Sequence, residues 1–202
     1  MVETVIVANG DFPKKGGAVW KLLAAATRVV CCDGAADAYR RHFRKWPDVV
    51  IGDFDSVSRL SSHVSGPPVL VRISDQDTND LEKAIVYCAM RRWKNPLVVG
   101  ATGRREDHTI GNIFRALDYG VEIVTDTGRF VPVCGKATLR VRPGAAVSVF
   151  APDPATRMTS GGLEWPLDGV KFRNLYCATL NRTTAATVAL TATRPVCVYL
   201  EF

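Results

Sequence analysis

The stretch Val69-Leu70-Val71-Arg72-Ile73-Ser74-Asp75-Gln76-Asp77-Thr78-Asn79-Asp80-Leu81-Glu82-Lys83-Ala84-Ile85-Val86-Tyr87-Cys88-Ala89 holds a strand, an acidic loop and a helix in one run. Its opening is a short, mostly apolar strand pattern, Val69–Ile73. Further on, Leu81, Ala84, Ile85, Cys88 and Ala89 fall at i, i+3, i+4, i+7 and i+8, which makes one apolar stripe on a helix.

The same alternation continues in both directions. Strand-like runs occur at Thr4–Ala8, Val29–Cys32, Val49–Gly52, Leu97–Val99 and Val121–Thr125. Helical patterns lie near Gly17–Thr27, Ala35–Lys45, Ser58–Val64, Thr78–Trp93 and Asp107–Tyr119. Short apolar strands alternating with amphipathic helices predict an α/β domain, a doubly wound and mainly parallel sheet covered on both faces. It is expected over residues 1–126.

Beyond Thr125 the pattern changes. Gly128, Gly135, Pro143-Gly144, Pro152, Pro154, Gly161-Gly162, Pro166 and Gly169 separate short runs such as Phe130–Val133, Thr138–Val141, Ala146–Phe150, Thr187–Thr191 and Val196–Phe202. Runs rich in Val, Thr and aromatics between turn residues predict a small all-β domain, a sandwich or barrel, over residues 127–202.

An apolar share of 47% in 202 residues is ample for a core. No apolar stretch approaches the roughly 20 residues needed to span a bilayer, and Met1–Ala8 reads as a first strand rather than a signal peptide. A cytoplasmic protein with no membrane role is expected. The six cysteines form no CxxC pair and have no His at zinc-ligand spacing, so they read as small buried hydrophobes. The formal net charge of +6 is spread over small basic groups rather than one stripe with a recognition motif. No nucleic-acid partner is expected.

Against that positive charge, the segment from Asp53 to Glu82 holds six acids and only two bases, Arg59 and Arg72. Asp53 and Asp55 follow one strand, Asp75 and Asp77 follow the next, and Asp80 opens a helix. Asp107 and His108 follow a third strand and the loop Gly100–Arg105. Ligands of doubly wound sheets bind beyond the carboxyl ends of the strands, so these acids share one edge. Any one of them could be an N-cap or turn residue. As a set they suggest a magnesium site, since hard carboxylate oxygens hold that ion while leaving positions for phosphate. Asp80 and Lys83, three apart on a helix, can face one pocket or form an ordinary surface pair. The loop with Arg104 and Arg105 suits anionic oxygens. His108 reads equally as structural or catalytic, and Asn9-Gly10 as a close-approach turn or a plain βα turn.

In order along the chain, Cys32–Asp37, Pro47–Ser56, Asp75–Ala84 and Gly100–Asn112 resemble the motifs of thiamine pyrophosphokinases. Gly162-Leu163-Glu164-Trp165-Pro166-Leu167 is similar to that family's thiamine-domain signature, and Ala178-Thr179-Leu180-Asn181 resembles it more weakly. The resemblance implies transfer of diphosphate from ATP to the thiamine hydroxyl, with release of AMP, by a homodimer holding thiamine near its interface. It further implies Asp53, Asp55, Asp80 and Lys83 as the catalytic residues, with magnesium on the three aspartates and Lys83 at the phosphates. Asp33, Gln76, Arg105, Asp107 and His108 would line the nucleotide and phosphate site. Trp165, Thr179 and Asn181 would serve thiamine. Another alcohol acceptor, such as a hydroxymethylpterin, and a non-catalytic binding relative are the alternatives. Three positions depart from the family pattern: Arg104 stands where Gly is usual, Asn79 where Thr is common, and Leu180 where Ser is usual.

Overall fold

The computed structural model describes residues 2–53, 68–75 and 77–202. The expected helix Ser58–Val64 and the predicted site residues Asp55 and Gln76 lie outside the described residues. The chain divides into two compact units. One comprises Met1–Arg115 with Ile123–Asp126, and the other Ala116–Glu122 with Thr127–Phe202.

The strands of the first unit are β1 (Thr4–Val7), β2 (Arg28–Cys32), β3 (Val49–Gly52), β4 (Val69–Arg72), β5 (Leu97–Val99) and β6 (Glu122–Val124), in the order β6-β5-β1-β2-β3-β4. Pairing is parallel between β1 and β2, β1 and β5, β2 and β3, and β3 and β4. From β1 the chain winds outward through β2, β3 and β4, then crosses back to β5 on the other side.

Continuous apolar runs fit this placement because both strand faces are covered. Ile6, Val7, Val30, Cys31, Val50, Ile51 and Val99 are all fully buried. Val5, Val7, Val29 and Cys31 pack with Val19 and Leu23 of α1 (Ala18–Ala24), and with Ala35, Ala36 and Tyr39 of α2 (Ala35–Phe43). A third helix, α3 (Asp80–Met90), packs against β1, β2 and β3, and α4 (Glu106–Asp118) follows β5.

In the second unit β7 (Gly128–Arg140), β8 (Ala146–Phe150), β9 (Met158–Gly161), β10 (Ala178–Arg182) and β11 (Thr187–Glu201) pair antiparallel. The long β11 pairs with β7, β8 and β9. Val131, Val133, Val147, Val149, Val188 and Leu190 share one buried cluster with Phe172. The separate runs expected at Phe130–Val133 and Thr138–Val141 are one strand. Gly135 passes through at φ 77 opposite Ala192, where the register with β11 shifts between Ala192 and Val196. That irregularity also accommodates Pro195, which cannot donate to a ladder. Strands β9 and β10 were not predicted, because Gly161 and the polar Asn181-Arg182 break their apolar pattern.

Cys31, Cys32, Cys88 and Cys197 are buried as expected, whereas Cys134 and Cys177 are exposed. Burial raises the thiol pKa of Cys31 and Cys32 well above its ordinary value, which keeps both as unreactive thiols. No helix among the described residues is long and apolar enough to cross a membrane.

Candidate active site

Because β1 lies between β2 and β5, the loops leaving β1 and β5 diverge and open a crevice at the strands' carboxyl ends. A cavity of about 620 Å³ occupies that place. Its floor is the turn after β1. Gly10 N donates to Gly100 O at 2.7 Å and Asp11 N donates to Thr102 O at 2.8 Å. An added Cβ on Gly10 would lie 2.3 Å from Thr102 O and 2.5 Å from Gly100 O, so Asn9-Gly10 is a close-approach turn.

The acidic wall consists of Asp33 after β2, Asp53 after β3 and Asp80 at the start of α3. Asp33 is buried, with its Cβ against Gly52. Asp80 carries a carboxylate facing Lys83, whose Nζ lies 3.5 Å from Oδ1. The Lys83 side chain is only 5% exposed, so this is not the surface pair that spacing alone allowed. Burial raises the Asp80 pKa above the ordinary carboxylate value; Lys83 opposes this and the charge of Asp53 adds to it. Among the described residues no group of three or more His, Cys, Asp and Glu side chains is arranged around a single metal position.

Asp75 and Asp77 do not line the cavity. The Asp75 carboxylate accepts from Asp77 N at 2.9 Å and Thr78 Oγ1 at 2.5 Å, folding the loop before α3. The Thr78 bond lowers the Asp75 pKa. Asn79 is the cap, its Oδ1 accepting from Glu82 N at 2.9 Å. Its Nδ2 donates to Asn112 Oδ1 at 3.3 Å, and Asn112 Nδ2 donates to Ala101 O at 2.9 Å. One turn along, Arg115 Nε lies 3.2 Å from Glu82 Oε2. Two rungs therefore tie α3 to α4. Sequence reading assigned no role to Asn112; its only signal was a place inside a motif.

The loop after β5 brings two guanidiniums and His108 to the cavity. Arg105 is bound by Asp107 in a fork, Nε to Oδ1 at 3.1 Å and Nη2 to Oδ2 at 2.6 Å. That contact lowers the Asp107 pKa to about 2 and raises that of Arg105. Asp107 itself is outside the cavity lining. Arg104 adopts φ 60, and its Nη1 donates to Asn9 Oδ1 at 2.8 Å and Asn9 O at 3.2 Å. The left-handed conformation that glycine would favour is thus kept by an arginine.

In the second unit Trp165, Thr179 and Asn181 come together around a cavity of about 360 Å³. Trp165 is 54% exposed, leaving much of its surface open. Buried Asn181 acts mainly on the protein: Oδ1 accepts from Trp165 N at 3.2 Å and Nδ2 donates to Trp165 O at 2.7 Å. Thr179 Oγ1 donates to Tyr176 O at 3.0 Å. Leu180 sits at φ 66 and is 85% exposed.

Comparison with known proteins agrees with this division. Residues 19–124 match the family model for the thiamin pyrophosphokinase catalytic domain, and residues 128–199 match the model for the thiamin pyrophosphokinase substrate-binding domain. The chain is 26% identical to thiamine pyrophosphokinase 1 of Arabidopsis thaliana over 202 residues, covering 84% of this chain and 74% of the relative. It is 30% identical to thiamin pyrophosphokinase 1 of Caenorhabditis elegans over 92 residues, 42% of this chain and 37% of the relative. The solved structure of thiamin pyrophosphokinase from Candida albicans has the same fold, with TM-score 0.79 and 16% identity over 99% of this chain and 89% of that one. The two matched models together take in both units, and the chain belongs to the thiamin pyrophosphokinase family.

Proposed function

We propose that this chain transfers the terminal diphosphate of ATP to the hydroxyl of thiamine, releasing thiamine diphosphate and AMP. The observation that carries the reading is the cavity at the diverging β1 and β5 loops, lined by Asp33, Asp53, Asp80 and Lys83, in a chain matching both domains of the family. The family match supports thiamine as acceptor and gives no support to a pterin alcohol or a non-catalytic relative.

In this reaction the thiamine oxygen bonds to the β-phosphorus, the bond from that phosphorus to the α–β bridging oxygen breaks, and the hydroxyl proton is lost. Positioning and electrostatics supply most of the rate in phosphoryl transfer. Magnesium fits the donor set, because Asp53 and Asp80 face one cavity and their mutual repulsion is relieved by a cation. Asp53 and Asp80 would hold it, with Asp55 completing the family's set. The bound ion would neutralise charge on the phosphate oxygens. Lys83 adds a fixed cation beside Asp80. Asp33, Gln76, Arg105, Asp107 and His108 are our assignments for nucleotide and phosphate, the Arg105–Asp107 pair holding the shape of its loop.

Thiamine is a cation, and the open Trp165 ring suits it, worth roughly 0.5–2 kcal/mol. Asn181 fixes the Trp165 backbone and Thr179 borders the same cavity. We assign residues 1–126 to the catalytic domain and residues 127–202 to a small β-sandwich or barrel, a reading supported by β11, which pairs with β9 along Ala189–Ala192 and with β8 along Cys197–Leu200. A cytoplasmic homodimer completes the proposal; the exposed Trp165, Tyr176 and Leu180 offer apolar surface to a second copy.

The test is incubation of purified protein with ATP, magnesium and an equimolar mixture of thiamine and hydroxymethylpterin. Thiamine diphosphate and AMP are the expected products. Absence of both across pH and metal concentrations refutes the reading.

A further inference from the structure

The cations lining the first cavity differ in what already neutralises them. Lys83 faces Asp80, and Arg105 is held in a fork by Asp107. Each pair sums to zero charge. Arg104 forms no ion pair among the described residues, and its Nη1 rests on the neutral Asn9. We propose that Arg104 adds a further phosphate-recognising cation to this site, a specificity residue that reads the polyphosphate of the nucleotide. This deepens the ATP-dependent reading and rests on it.

The geometry supports the assignment in two ways. First, Arg104 lines the cavity from a left-handed backbone conformation, φ 60, that costs any side chain. Second, Asn9 locates it. The Asn9 amide packs against Gly34, where an added Cβ would lie 2.9 Å from Nδ2. One guanidinium nitrogen thus ties the loops after β1 and β5 together, with the Asn9 amide lying beside Gly34 of the loop after β2. Nε and Nη2 make no hydrogen bond among the described residues and keep their N–H groups for an anionic oxygen. A guanidinium offers a fork that an ammonium cannot replace.

The experiment compares wild type with Arg104→Gln and Arg104→Lys by calorimetric titration of α,β-methylene-ATP and, separately, AMP. This analogue keeps the polyphosphate but cannot be cleaved at the α–β bridge. Loss of one charge-assisted bond predicts that Arg104→Gln weakens analogue binding by about 10–100-fold. AMP, with one phosphate, should weaken by less than about threefold on the same scale. Arg104→Lys should recover part of the analogue loss. A purely structural role would weaken both ligands alike, and that result, or an analogue affinity unchanged by Arg104→Gln, overturns the proposal. If wild type binds the analogue but forms no thiamine diphosphate, the assigned reaction fails, while the two-ligand comparison still decides the role of Arg104.

Discussion

Replacing Asp80 by Asn removes the carboxylate that faces a lysine side chain only 5% exposed to solvent. The ammonium of Lys83 then loses its ion-pair partner in a place that water barely reaches. Fully buried pairs broken in this way cost about 3–5 kcal/mol. Asp80 is one-third exposed, the separation is 3.5 Å, and the new amide oxygen can still accept a bond. The expected loss is therefore about 1–3 kcal/mol. For a chain of this size that lowers the melting midpoint by roughly 2–12 °C. Differential scanning calorimetry of Asp80→Asn, Lys83→Met and the double variant, all without metal, measures it. The double variant should recover most of the stability, because both charges leave together. Diphosphate transfer should be abolished in Asp80→Asn and in the double variant, since the proposed reaction assigns the carboxylate to magnesium and the ammonium to the phosphates. An Asp80→Asn protein that melts like wild type, or a double variant no more stable than the single, would falsify the claim that Asp80 offsets the burial of Lys83.

Three further outcomes are expected. Gly10→Ala places a methyl 2.3 Å from a carbonyl oxygen, so the turn after β1 must open; a loss of roughly 1–3 kcal/mol by urea unfolding, with impaired ATP-analogue binding, is the expected result. Trp165→Ala should raise the KM for thiamine about 2–30-fold while leaving the KM for ATP alone, as read from initial rates. The Asp107 carboxylate, followed by NMR, should titrate at about 2 and return toward the ordinary range in Arg105→Gln. The sign follows from the lowered value: the pair favours the folded loop above the ordinary carboxylate pKa, and that contribution is lost as pH falls through about 2.

The parallel sheet was legible because each strand is buried on both faces and so reads as an unbroken apolar run. That Asp53 and Asp80 border the first cavity was legible because loops after parallel strands meet at the carboxyl edge of the sheet. Spacing alone did not give the division of labour among the acids. Nothing in the spacing of Asp75, Asp77 and Asp80 says that Asp75 turns inward on Thr78 while Asp80 faces Lys83. Asn181 likewise bears an amide that spacing cannot tell from a ligand contact, yet it grips the Trp165 backbone. In the second unit the turn residue Gly135 concealed a continuous strand, since a bulge and a turn use the same residue.

The two rungs between α3 and α4, Asn79 to Asn112 and Glu82 to Arg115, carry a consequence for descent as well as for shape. Each rung joins positions 33 apart, and the rungs are three residues apart on either helix, so the four side chains make a matched set. A change at Arg115 takes an ion-pair partner from the buried Glu82 carboxylate, a change in the more exposed amide rung removes one hydrogen bond, and in each case repair is easiest at the facing member. Among relatives of this chain, positions 79 and 112 should vary together, and so should 82 and 115. Inheritance at these sites would then proceed by couples, with lone substitutions confined to lineages where the helices have drifted apart.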